Sequence, residues 1–146
     1  MSKLKFRAWD TRNEELVYSH KEDNFYVNTK GVLFMYAIPK SESGLETIYH
    51  KSYDVEQFTG IQDKNGLDVY EGDILRTYHF TNHYGKKEYL HHEVVWSDKY
   101  CGWQMLNCTS RDENDGSPQL FVYIQAGKDF EKVGNIHENP ELIKGV

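Results

Sequence analysis

The stretch FTGIQDKNGLDVYEGDIL, Phe58 to Leu75, decides the fold class. Asp54 to Thr59 reads as a strand, and Asp68 to Tyr70 resumes one after Asp63-Lys64-Asn65-Gly66. An Asn-Gly pair supplies the positive φ angles of a tight reversal, so the two runs form a hairpin. Glu71-Gly72-Asp73 then bends the chain into Ile74 to Phe80, where Ile74, Arg76, Tyr78 and Phe80 alternate with Leu75, Thr77 and His79. That period of two marks a half-buried strand. A Gly-Asp-apolar-apolar step, here Gly72 to Leu75, is a common entry to small SH3-like barrels, which is fold analogy and carries no chemistry.

Working toward the C-terminus, Asn82 to Lys86 reads as a turn, Glu88 to Trp96 as a long strand, and Tyr100 to Leu106 as its partner. The polar run 110–117 (SRDENDGS) is an exposed loop. Ser117-Pro118 as a helix start and Gly127 as a stop predict a short helix over Gln119 to Ala126. The β-branched and aromatic residues of Leu120 to Ile124 speak for a strand instead. Val133 to Ile136 is a final strand, and Asn139-Pro140-Glu141-Leu142 begins a turn or one helical turn.

Toward the N-terminus, Leu4, Phe6 and Ala8 alternate with Lys3, Lys5 and Arg7, again the pattern of a half-buried strand. Asp10 to Asn13 is a turn and Glu15 to Tyr18 a returning strand. Gly31 to Ile38 is evenly apolar, as in a strand buried on both faces, and 39–44 (PKSESG) is a loop and a boundary. Long alternation, short polar turns and almost no helix pattern imply a mainly β fold. The expected architecture is a small antiparallel SH3-like barrel over residues 54–143. An N-terminal β extension, residues 1–44, packs on it within a single domain of residues 1–146, with at most one or two short helices.

Length and composition bound the function. A chain of 146 residues makes one domain and needs no metal or disulfide staple. Much of its apolar content is aromatic, with 11 Tyr, 7 Phe and 3 Trp, which suits half-buried sheet faces. The net charge of −6, with Lys and Arg scattered, disfavours nucleic acid as the partner, because sequence-independent binding draws on clustered cations. No leader-like apolar region, membrane-length run or lipidation motif stands in the sequence, so a cytoplasmic location and no membrane partner are expected. In that compartment Cys101 and Cys108 are reduced thiols.

Three segments carry a family resemblance: FRAWD (Phe6 to Asp10), FTGIQDKNGLDVYEGDIL (Phe58 to Leu75) and VGNIHENPELI (Val133 to Ile143). In that order they resemble the hallmark segments of YopX-like phage and prophage proteins. The segments between, Glu14 to Tyr53 and Thr77 to Glu131, match in general character only. The resemblance implies a small β-rich fold with an SH3-like barrel, encoded by phages and prophages, and no activity, since the family is one of unknown function. The residues themselves give structural reasons for these motifs. Gly60, Gly66, Gly72 and Gly134 fall where turns or close approaches are expected. Asp63, Asp73 and Asn135 can accept hydrogen bonds from nearby backbone N–H groups, and Asn139-Pro140 is a stop signal.

Candidate chemistry is sparse. Asp63, Asp68, Glu71 and Asp73 cluster around the central turn and could serve a divalent cation or a general acid–base pair, though no calcium-loop spacing is present. His79, His83 and one of His91 and His92 could converge across a hairpin, whereas His91 and His92 point to opposite faces. Cys101 and Cys108 lack the C-x-x-C spacing of a zinc or redox motif, and one of them is expected as a small buried apolar residue. No phosphate loop, nucleophile elbow or triad is visible, and no cofactor is called for. Trp9, Tyr78, Tyr84, Tyr89, Trp96, Tyr100 and Trp103 are the remaining lead. Rings of this kind fill cores short of aliphatics, and they also mark protein interfaces and single-strand stacking platforms. The sequence thus points to a non-enzymatic accessory protein whose partner is a host or phage protein, or a second copy of the chain. Trp96, Trp103 and the acidic turn are its candidate binding residues. A nucleic-acid-associated regulator of phage replication or transcription is the alternative, and a metal-binding protein or enzyme of unrecognised type the second alternative.

Overall fold

The structure, a computed structural model, describes residues 4–19, 21, 25–27, 33–37, 46–49, 53–111, 118–125 and 128–143. The expected loop and boundary at 39–44 lies outside them, as do 112–117 of the second polar loop. The chain divides into two compact units, Met1–Phe58 and Thr59–Val146.

In the first unit, β1 (Phe6–Asp10) lies between β2 (Glu15–Tyr18) and the first part of β6 (Tyr53–Gln62), antiparallel to both. β3 (Phe25–Val27), β4 (Leu33–Ala37) and β5 (Glu46–Tyr49) form a separate antiparallel meander. β4 is the strand expected at Gly31 to Ile38, of which 31, 32 and 38 lie outside the described residues. β3 and β5 were not signalled by alternation. The half-buried reading of β1 is corrected: Arg7 and Ala8 are both fully buried, while Leu4 is 72% exposed. The register sets Arg7 opposite Glu56 on β6, and Arg7 Nε lies 2.5 Å from the buried Glu56 carboxylate. A buried guanidinium is tolerated because that partner is supplied across the strands.

In the second unit the end of β6 turns back through β7 (Asp68–Tyr70). β8 (Asp73–Thr81), β9 (Lys87–Ser97), β10 (Gly102–Asn107) and β11 (Phe130–Asn135) follow, in an antiparallel sheet of order β10-β9-β8-β11. This mainly β, antiparallel arrangement is compatible with the SH3-like expectation. One face of the sheet buries Leu75, Val94, Met105 and Phe130 against Val69 and Leu120. On the other face, Ile74 and Cys108 pack with Ile143 of the C-terminal segment. A bulge shifts the β8–β9 register between Tyr78 and Phe80, so the alternation expected through Phe80 breaks at His79.

The ambiguous segment is helical from Leu120 onward, so the helix reading holds and the strand reading of Leu120 to Ile124 does not. Met105 N–H donates to Pro118 O and Gln119 bridges Gln104, extending the edge of β10, before α1 (Leu120–Gln125) begins. Ser117, Ala126 and Gly127 lie outside the described residues. α1 buries only Leu120 and leaves Phe121, Val122 and Ile124 exposed. A 3-10 turn at Pro140–Leu142 ends the described chain, as the Asn-Pro signal implies.

One device closes five turns. Asp63 Oδ1 accepts the N–H groups of Asn65 and Leu67, and Asn82 Oδ1 those of Tyr84 and Lys86. Each of these turns has a glycine at positive φ three residues on, Gly66 at +79° and Gly85 at +77°, where an L side chain is strained. Asp10, Asn107 and Asn135 each accept from the N–H groups two and three residues ahead. Short polar side chains hold the loop backbone that strands leave unpaired.

Candidate functional site

The acidic turn places its carboxylates against the chain. Asp63 is buried, and besides its own turn it accepts Lys132 N–H of β11 at Oδ2, 3.0 Å away. Burial pushes its pKa up, but the N–H donors of Leu67, Lys132 and Asn65 outweigh that and hold the carboxyl below its ordinary value. Asp73 is fully buried, accepting Tyr70 N–H at 2.8 Å and lying 2.9 Å from Lys132 Nζ. Asp68 accepts from Gln62 Nε2, and its carbonyl from Lys132 Nζ. Glu71 sits in the bend between β7 and β8. Lys132 thus ties β11 to this turn at its backbone and at its ammonium. Among the described residues no three His, Cys, Asp or Glu side chains converge as they would around a metal ion.

The histidines are dispersed. His79 and His83 are exposed, and His92 is buried beside Thr77. His91 sits opposite Arg76, and burial together with the Arg76 charge holds its pKa below the ordinary value. Cys101 is an exposed free thiol, and Cys108 a buried one. Burial, with the nearby Glu93 charge, pushes the Cys108 thiol up to about 11.

The aromatic set divides by register. Trp96 and Trp103 face each other across β9 and β10, 5.2 Å apart and edge to face. Trp103 packs against the core while Trp96 remains 49% exposed, its indole N–H donating to Asp98. The wider exposure is on the β8–β9 hairpin, where Tyr78, Phe80, Tyr84 and Tyr89 all face water. Tyr78 and Tyr89 are a cross-strand pair, 6.3 Å apart at 80°.

Beside that pair lies a cleft of about 250 Å³ lined by Lys64, Arg76, Tyr78, Lys87, Tyr89 and Glu131, among others. Cross-strand neighbours share a face, so the register Glu131–Arg76–His91 sets a polar row, with the Glu131–Arg76 ion pair in it, next to Tyr78 and Tyr89. The Arg76 guanidinium lies 4.9 Å over the Tyr89 ring. Glu131 Oε2 receives Arg76 at 2.5 Å and Lys64 at 3.0 Å, and these donors, Arg76 first, hold its carboxyl below the ordinary value. Sequence reasoning named the two tyrosines but not Lys64, Arg76, Lys87 or Glu131. The spacing of Arg76 and Tyr78 on one strand was the available signal, and it acquires meaning only once β9 and β11 are in register.

A family model described as YopX protein matches residues 5–144. The crystal structure of protein EF1440 from Enterococcus faecalis is similar to the chain with a TM-score of 0.55 and 24% identity, covering 99% of this chain and 100% of that one. At that identity the likeness speaks for the fold alone. No curated protein matches the sequence.

Proposed function

We propose, from the premise that this chain belongs to the YopX family, that it is a non-enzymatic interaction module binding a host or phage protein through the β8–β9 hairpin. The observation that carries this reading is the run of exposed rings on one hairpin, with Tyr78 53%, Phe80 47%, Tyr84 84% and Tyr89 42% exposed. Burying such rings supplies much of the free energy of protein interfaces, and Tyr and Arg are enriched at their centres. The acidic turn, by contrast, has its two buried carboxylates engaged by backbone N–H groups and by Lys132, which supports a structural role for it.

The test is capture of tagged protein from phage-carrying bacterial lysate, half of it nuclease-treated, beside a Tyr78→Ser/Tyr89→Ser variant of unchanged thermal midpoint. A defined protein retained after nuclease by the parent and lost by the variant is the expected result. Retention that ignores the variant, or no retention at all, defeats the reading. A second reading, a nucleic-acid-associated regulator, draws on Arg76 over Tyr89 with Lys64 and Lys87 alongside. It requires that the captured material disappear with nuclease.

A further inference from the structure

We infer that the first half of β11 is a hinged flap clasped by Lys132, whose docking sets which form of the Tyr78–Tyr89 surface a partner meets. Its functional meaning rests on the interaction reading above, and its mechanics do not. β11 is an edge strand, and among the described residues its only strand partner is β8. That ladder is interrupted by a bulge between Lys132 and Gly134. Beyond the bulge, Asn135 is fixed by the turn that follows, its Oδ1 accepting the N–H groups of His137 and Glu138. Phe130 to Lys132 lie before the bulge, which is their hinge.

On the side away from β8, Lys132 supplies most of what holds these three residues. Its backbone N–H donates to Asp63 Oδ2 at 3.0 Å. Its ammonium lies 2.9 Å from the buried Asp73 carboxylate and donates to Asp68 O at 3.3 Å. The one other backbone tie there is Lys64 N–H to Phe130 O, at 3.2 Å. Of the three side chains only Phe130 enters the core, whereas β8 and β9 are paired on both sides. Segments with one-sided pairing and few buried apolar groups open at lower free energy than the middle of a sheet.

The clasp acts from the face opposite the cleft. Successive residues of a strand point to opposite faces, so Lys132 lies beside Leu75 on the core side while Glu131 lines the cleft. Lys132 is therefore a positioning residue, working through β11. With the flap docked, Glu131 holds Arg76 and Lys64 in ion pairs beside the two tyrosines. Lifting it removes the Phe130–Glu131 wall, releases both cations from Glu131 and bares the edge of β8 at Arg76.

Amide exchange of the full chain, followed by NMR over a series of urea concentrations below the unfolding transition, tests the flap. The amides of Arg76 and Glu131 are expected to exchange about tenfold or more faster than those of the β9–β10 ladder, with a shallower urea dependence, because lifting exposes little surface. Lys132→Met should speed Glu131 by about tenfold or more, and Lys132→Arg by much less. Leu106→Ala, on β10 at the opposite edge of the sheet, should speed the β9–β10 ladder and leave Glu131 unchanged, since β10 keeps its packing when the flap lifts. Rates and urea slopes shared by β11 and the β9–β10 ladder, a Leu106→Ala effect that reaches Glu131, or parent rates at Glu131 in Lys132→Met would each overturn the inference. The parent series and Leu106→Ala decide the matter even where Lys132→Met does not fold. A separately opening flap with no capture from lysate sinks the interaction reading alone. Tyrosine-dependent capture with a flap that opens only on global unfolding sinks the flap alone.

Discussion

Replacing Asp63 by Ala removes one carboxylate and with it the acceptor for three backbone N–H groups: Asn65 at 2.8 Å, Leu67 at 2.9 Å and Lys132 at 3.0 Å. Hydrogen bonds to a charged group are each worth about 1.5–3 kcal/mol net. Asn65 and Leu67 are exposed and recover water at their N–H groups, so most of their share returns. Lys132 N–H is only partly exposed and joins β11 to the turn, so its loss dominates. The expected cost is about 3 kcal/mol. The folded-state pKa of Asp63 lies below its ordinary 3.8, so its contribution is fully present above that value and disappears as pH falls through the folded-state pKa. Urea unfolding followed by tryptophan fluorescence at pH 7 and near pH 2.5 should therefore show a parent–variant gap that narrows in acid with little change in slope. A gap below about 0.5 kcal/mol at pH 7, or one undiminished in acid, would refute the assignment.

Three further outcomes follow from the same geometry. A Cβ at Gly134 would lie 2.7 Å from Asn139 Cγ and closer still to its Oδ1, so Gly134→Ala should cost about 1–3 kcal/mol, and Asn139→Gly should recover part of it in a double-mutant cycle. Cys108, with its thiol pushed up to about 11, should stay unreactive to a disulfide reagent at pH 8 until the chain is unfolded, whereas Cys101 reacts at once; mass spectrometry after alkylation distinguishes them. His91 has a folded-state pKa below 6.5, so the unfolded chain binds the proton more readily and stability falls as pH drops below that value. His91→Gln should flatten this slope between pH 7 and pH 5 in denaturant titrations.

The local devices of this fold are written in short stretches of sequence. Asn65-Gly66 supplies the positive φ its turn needs, Asn139-Pro140 stops the chain, and Gly134 falls at a close approach, whose partner, Asn139, the structure supplies. Those features act over a handful of residues, so composition and spacing suffice to read them. Alternation likewise located most strands, because one face of each is dry. It misled at β1, where Arg7 alternates as a solvent residue would yet is buried. Its partner, Glu56, comes from 49 residues away, and only β1–β6 register brings them together. The candidate site has the same character. Lys64, Arg76, Lys87 and Glu131 are unremarkable in sequence and become neighbours of Tyr78 and Tyr89 through the pairing of β8 with β9 and β11. Sequence by itself determined turns, strand class and family. The tertiary structure alone decided which charges are buried and which rings face water, because both depend on partners supplied by strands distant in the chain.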